Sequence, residues 1–118
     1  SEFFDDVKRN GIPVMNPPEV DDICWDKMKT QELIPPENRI KTELVNSKED
    51  IEKTDMDKFL LKPRYGIRGV GIRLVEKDNV GEIKKNTLVQ EFIDTSKGFP
   101  ALGITGMHDI RIIIPVQG

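Results

Sequence analysis

The stretch that decides the fold is Phe59 to Val75, FLLKPRYGIRGVGIRLV, in which two apolar runs flank a short loop with three glycines. The second run places Val70, Ile72 and Leu74 at a period of two, which is typical of a strand with one half-buried face. The stretch therefore predicts a strand, a glycine loop and a second strand.

The loop has the residue types that suit a polyphosphate. Gly66, Gly69 and Gly71 allow backbone N–H groups to approach a ligand and to adopt positive φ without steric cost, and Lys62 adds a cation at the mouth of the loop. A plain β-hairpin with a solvated lysine would show the same pattern. Neither a Walker loop nor a Rossmann fingerprint fits, because no Gly-Lys-Ser/Thr follows the glycines and the next run has the period of a strand.

The composition limits the size of the core and the kinds of partner. With 118 residues, of which 36% are hydrophobic and 33% charged, the chain is one modest domain or a piece of a larger one. A net charge of −3 without a basic block disfavours nucleic-acid binding. The single cysteine, Cys24, excludes an internal disulfide and suits the cytoplasm. No apolar run approaches the ~18 residues that span a bilayer, so no membrane partner is expected.

The remaining segments predict an α+β fold with a mainly antiparallel sheet and flanking helices. Asn16-Pro17-Pro18 opens one or two helices over 17–34, bent near Asp26, and Ser47 begins a short helix that ends near Thr54. Besides the central pair, the strands are expected at 40–45, 87–93 and 108–116.

Four short motifs in this order resemble the ATP-grasp superfamily of carboxylate–amine and carboxylate–thiol ligases. The resemblance is closest to the branch of glutathione synthetase and the ribosomal-protein glutamate ligases, and it covers nearly the whole chain after Met15. The motifs are Asn16-Pro17-Pro18 with Asp26-Lys27, Leu61-Lys62-Pro63 with Gly66, Gly69, Val70 and Gly71, Val89-Gln90-Glu91-Phe92-Ile93, and Asp109-Ile110-Arg111-Ile112-Ile113.

The resemblance implies a reaction and a set of site residues. Such proteins hold ATP between two α+β subdomains, phosphorylate a carboxylate with it, and let an amine or a thiol attack the acyl phosphate. By position, the cofactor-binding residues are Lys27 and Lys62 at the ATP phosphates, Gly66, Gly69 and Gly71 in the lid above them, and Gln90, Glu91, Phe92 and Ile93 at the adenine. Arg111 is the implied catalytic residue, on the phosphate or acyl-phosphate side.

The resemblance also implies a division of the chain. Residues 1–38 are the entry segment and its helices, 39–95 form the lid subdomain, and 96–118 form a loop and the first strand of the second subdomain. The ligands of the family's Mg²⁺ are expected beyond residue 118, so no metal ligand is assigned, and the polypeptide by itself is expected to be inactive and to bind ATP weakly or not at all. Family members have small residues where this loop has Arg64, Tyr65, Ile67 and Arg68, so either loop closure differs or the arginines add phosphate contacts.

Three interpretations remain open at this point. The first is the ATP-binding portion of a ligase, with ATP and a small-molecule or peptide carboxylate as partners; a homo-oligomer is left open. The second is a non-catalytic binding or interaction module with the same fold. The third is an unrelated small α+β domain whose glycine loop is only a hairpin turn.

Overall fold

A computed structural model describes residues 2–14, 16–98, 100–103, 106 and 109–114. It shows a small α+β fold in which four antiparallel strands lie in the order β1-β4-β2-β3, with helices beside the sheet, as the sequence predicts. The strands are β1 (Thr42–Val45), β2 (Lys58–Pro63), β3 (Arg73–Glu76) and β4 (Thr87–Glu91); the α-helices are α1 (Glu2–Arg9), α2 (Pro18–Trp25), α3 (Lys27–Leu33) and α4 (Lys48–Glu52); short 3-10 helices span Pro36–Asn38, Lys77–Asn79 and Pro100–Leu102.

The hydrophobic core lies on one face of the sheet. Phe59 pairs with Val75 on one neighbouring strand, and Leu61 pairs with Val89 on the other, so their side chains point the same way. Helix α4 contributes Ile51 to this face. The cluster of buried residues consists of Val45, Ile51, Phe59, Leu61, Val80 and Val89.

The sequence predicts that Val70, Ile72 and Leu74 form the buried face of the second central strand, and this prediction is wrong. Val70 lies in the turn before β3 and is 76% exposed, and Ile72 and Leu74 are 39% and 45% exposed. Val75 packs against the core instead. The strand begins only at Arg73, and its register opposite β2 turns Val75 toward the core, so the alternation was assigned to the wrong face.

The predicted bend between two consecutive helices is confirmed at Asp26. This residue is extended, with φ −96° and ψ 104°, and it separates α2 from α3. Its carboxylate accepts hydrogen bonds from the backbone N–H groups of Met28 and Lys29, at 3.0 and 3.4 Å. A carboxylate in this position satisfies N–H groups that have no partner within the helix, which explains why the second helix begins at Lys27.

The last predicted strand is not formed in the part of its range that the structure describes. The ends of the predicted range 108–116 lie outside the described residues, and the described part, 109–114, is neither helix nor strand. Its isoleucines are exposed, and none of the four described strands pairs with it. An alternating apolar pattern needs a neighbouring strand for its backbone hydrogen bonds. The three-part division of the chain stays a prediction.

Substitution of Gly71 tests how tightly the loop closes on β2. Gly71 has φ +77°, and a Cβ there would lie 3.0 Å from the Pro63 ring, whereas Gly69 has φ +68° with its nearest atom at 3.8 Å. Alanine at either position adopts left-handed backbone at a cost of about 1–2 kcal/mol, and Gly71→Ala also moves the proline. Urea denaturation should show a larger loss of unfolding free energy for Gly71→Ala than for Gly69→Ala. Equal losses would contradict the close approach.

Candidate functional site

The glycine loop joins β2 to β3 as a hairpin and contains a run of left-handed residues. Gly66, Gly69 and Gly71 have φ of +116°, +68° and +77°, and Arg68 has φ +64°. Glycine is the residue that adopts these angles without a steric penalty. The structure therefore confirms the predicted strand, glycine loop and strand, and residues 67–72 are exposed to solvent.

A cleft lies between the helix junction and the face of the sheet opposite the core. We call it the lysine cleft; its volume is about 200 Å³. Pockets that bind small molecules usually have volumes of about 300–1,000 Å³, so this cleft would hold only part of a nucleotide. Its lining residues are Cys24, Lys27, Thr30, Gln31, Thr42, Lys62, Leu88 and Gln90.

Lys62 enters the cleft from β2 and is half-buried. It pairs across the sheet with Leu88, and Gln90 lies on the same face of β4. Within the described part of the chain, no hydrogen bond or ion pair holds its ammonium group. Burial, together with the nearby charge of Lys27, lowers the pKa of Lys62 below its ordinary value. A partly desolvated cation without a carboxylate is suited to an anionic ligand.

Lys27 connects the start of α3 to the base of the loop. Its Nζ donates hydrogen bonds to the carbonyl oxygens of Pro63 and Gly66, both at 2.9 Å. Partial burial lowers its pKa, and the charge of Asp26 acts in the opposite direction. An ammonium group has three donors, so one remains for a ligand. The structure thus brings together the two lysines that were predicted to contact phosphates.

The predicted adenine segment lies at the end of β4. Gln90 is half-buried, and its Nε2 donates to Thr42 Oγ1 at 2.8 Å. Glu91 pairs with Phe59 and therefore points to the core face, away from Lys62. Its backbone N–H donates to the carbonyl of Lys41 at 2.9 Å.

The last two residues of this segment are placed differently. Phe92 is half-buried, with Lys58 Nζ 5.3 Å from its ring centre, and Ile93 is exposed. Because Glu91 points away from the cleft, an adenine contact there would come from backbone groups. The adenine roles of Gln90, Glu91, Phe92 and Ile93 stay predictions.

Two arginines for which the sequence suggests phosphate contacts, Arg64 and Arg111, lie in different environments. Arg64 is engaged with Asp26: its Nε and Nη2 donate to the two carboxylate oxygens, each at 2.9 Å. These bonds use two of the five N–H donors of the guanidinium, so a phosphate contact from Arg64 stays a prediction. Arg111 lies in the exposed segment 109–114 and makes no ion pair with any described residue. Its catalytic role stays a prediction.

The sequence predicts a bend at Asp26 but no site role for Asp26 or Cys24, although both adjoin the lysine cleft. The side chain of Asp26 is 5% exposed, and that of its partner Arg64 is 22% exposed. Asp26 directly precedes Lys27 at the predicted bend, so the preference of aspartate for helix N-caps was the available signal. Cys24 lines the lysine cleft and is exposed; no sequence pattern indicated this.

The pH dependence of the free energy of unfolding should reveal the contribution of the Asp26–Arg64 pair. Hydrogen bonds from Arg64 lower the pKa of Asp26 from 3.8 to about 2, although burial opposes the shift. A carboxyl group with a lower pKa in the folded state stabilises the fold above its unfolded pKa, and this contribution is lost as the pH falls toward 2. Urea denaturation from pH 5 to pH 2 should show that loss, and Asp26→Asn should reduce it. An unchanged pH profile in Asp26→Asn would contradict the assignment.

A divalent metal has no evident site in the described ranges. No group of three or more His, Cys, Asp or Glu side chains lies close enough there to hold a metal ion. The donors that converge in the lysine cleft are ammonium groups, which repel cations. The described residues thus fit the anionic part of a nucleotide and not its metal.

Comparison with known proteins identifies the family. No described helix has the length and apolar content to cross a membrane, and neither the curated proteins nor the solved structures contain a significant match. The model of the tubulin-tyrosine ligase family matches residues 7–113, which removes the unrelated α+β domain from the three interpretations. This match supports the ATP-grasp superfamily but not specifically the glutathione synthetase branch. The chain belongs to the tubulin-tyrosine ligase family, within the ATP-grasp superfamily.

Proposed function

We propose that this chain supplies the ATP-binding portion of an ATP-dependent ligase that joins a carboxylate to an amine. The observation that carries the proposal is the meeting of Lys27 and Lys62 in one cleft, where Lys27 also donates to the Gly66 carbonyl at the base of the glycine loop. Bringing two half-buried ammonium groups together is costly, because burial and mutual repulsion both disfavour the charged form. A triphosphate would offset that cost.

The ligand would extend across several elements. The phosphates would lie at the lysine cleft with the glycine loop above them, where backbone N–H groups at positive φ can face anionic oxygen atoms. The nucleoside would extend toward residues 91–93, at and just beyond the end of β4. This arrangement is compatible with a cleft that holds only part of the nucleotide.

The name of the family suggests the reaction. A tubulin-tyrosine ligase joins an amino acid to a protein, and the proposed substrates are accordingly a peptide or small-molecule carboxylate and an amine. When bound, ATP supplies the phosphoryl group that activates the carboxylate as an acyl phosphate, and the amine then displaces phosphate to form the amide. Lysines suit such a site, because phosphoryl transfer depends on positioning and charge neutralisation. Arg111 is proposed to act on the acyl-phosphate side.

The labelling rate of Cys24 tests the site. Because this thiol lines the lysine cleft, ATP should slow its alkylation by N-ethylmaleimide in the whole protein, measured by mass spectrometry on the peptide that contains Cys24. AMP should protect less at the same concentration, since it lacks the distal phosphates. Equal rates with and without saturating ATP would refute a nucleotide in this cleft.

The same preparation separates a ligase from a non-catalytic module. A ligase is expected to release ADP from ATP when a carboxylate and an amine are supplied together, whereas a binding module would show protection of Cys24 without ADP release. The candidate substrates can be screened as amino acids paired with acidic peptides. Protection without turnover across such a screen would favour the module.

A further inference from the structure

The Asp26–Arg64 pair is the most buried ion pair among the described residues. Three surface pairs leave between 45% and 75% of each side chain exposed, compared with 5% for Asp26 and 22% for Arg64. A buried pair contributes little net stability over apolar residues of similar size. Net stability is therefore a weak explanation for this pair, and a role in positioning its neighbours is an alternative.

The pair joins the start of α3 to the chain that leaves β2. Asp26 caps α3 with the same oxygen that accepts from Arg64 Nε. The backbones also pair there: Asp26 and Tyr65 form an isolated antiparallel bridge, Lys27 N–H donates to the carbonyl of Arg64 at 3.0 Å, and Gly66 N–H donates to the carbonyl of Trp25 at 3.3 Å. The base of the glycine loop is thus attached to the helix junction at several points.

Both phosphate-binding lysines adjoin this junction. Lys27 follows Asp26 directly, and its ammonium group contacts the carbonyls of Pro63 and Gly66 on either side of Arg64. Lys62 is two residues before Arg64 on β2. Any shift of α3 against the end of β2 would therefore change the distance between the two ammonium groups.

We propose that Asp26 and Arg64 are positioning residues of the nucleotide site, which hold Lys27 and Lys62 at the spacing that a triphosphate requires. This inference rests on the proposed function. It assigns Arg64 a role through α3 and the lysines, without contact to the nucleotide. A misplacement of about 1 Å can cost about 100-fold in reaction rate, so a side chain that only positions other groups can have a large effect.

The test compares ATP affinity among folded variants of the whole protein. Arg64→Gln removes the charge and the two-pronged hydrogen bond, and it is expected to weaken ATP binding about tenfold, which corresponds to about 1.4 kcal/mol, while adenosine binding changes little. Arg64→Lys keeps the charge and should recover part of the affinity. Lys41→Gln is the matched control, because it removes the exposed Lys41–Asp55 pair. It should leave ATP affinity unchanged.

The outcomes separate this inference from the function on which it rests. If Lys62→Ala weakens ATP binding and Arg64→Gln does not, the positioning role is overturned and the proposed function stands. If Lys62→Ala has no effect either, the proposed function fails. A purely structural role predicts that Arg64→Gln lowers the melting temperature without changing ATP affinity, which also overturns the inference. Should Arg64→Gln not fold, Arg64→Lys decides by the same criterion of ATP affinity.

Discussion

Replacing Lys62 with alanine is expected to weaken ATP binding by about 10- to 100-fold, because a hydrogen bond to a charged group contributes about 1.5–3 kcal/mol. Its ammonium group is half-buried in the lysine cleft and has no acidic partner among the described residues. The alanine variant should lose affinity for ATP more than for adenosine. Isothermal titration of both ligands into the whole protein measures the two effects.

The control for this substitution is Lys29→Ala, which removes an exposed lysine from α3. Both variants lose one positive charge, so a general electrostatic effect would appear in both. Only Lys62→Ala should change the affinity for ATP by more than about twofold, since screened surface charges contribute little. Similar losses in the two variants would mean that net charge, and not a contact from Lys62, determines nucleotide binding. Unchanged affinity in Lys62→Ala would remove the main support for the proposed function.

Local signals were enough to predict the central hairpin and the helix junction. Three closely spaced glycines next to two apolar runs indicate a turn whatever the surroundings, and the structure forms β2, the loop and β3 there. The break at Asp26 was also predictable, because aspartate favours the N-cap position at which a new helix begins. These features depend on backbone preferences within a few residues.

Features that depend on distant contacts were not predictable in the same way. The alternation of Val70, Ile72 and Leu74 shows that one face is apolar, but only the pairing of Phe59 with Val75 decides which face meets the core. The isoleucines of 109–114 have a strand pattern without a partner strand among the described elements. Periodicity reports that a face is apolar; it does not report what covers it.

The candidate site also combines features that local sequence predicts with features that depend on distant contacts. The lysines were predicted from their motifs, and the sheet register explains why Lys62 and Gln90 share a face. The pairing of Asp26 with Arg64 joins residues that are 38 positions apart, and neither local sequence indicates the other partner. Such a pair becomes visible only when the fold brings α3 to the end of β2.

Replacing Phe59 with alanine is expected to reduce the free energy of unfolding by about 3–5 kcal/mol, as large-to-small substitutions in well-packed cores do. Phe59 is fully buried at the centre of the sheet, where it pairs with Val75 on β3 and Glu91 on β4. A domain of this size has a total stability of about 5–15 kcal/mol, so the loss would be a large part of it. Urea denaturation followed by circular dichroism measures this quantity.

Leu74→Ala is the matched control, because Leu74 lies on the opposite face of the same sheet and is 45% exposed. It should cost less than about 1 kcal/mol, since solvent fills the space that the side chain leaves. The comparison tests which face carries the core, the point at which the sequence pattern and the structure disagree. A larger loss for Leu74→Ala than for Phe59→Ala would mean that the apolar face of β3 is the one that stabilises the fold, and that the register described for β2 and β3 is wrong.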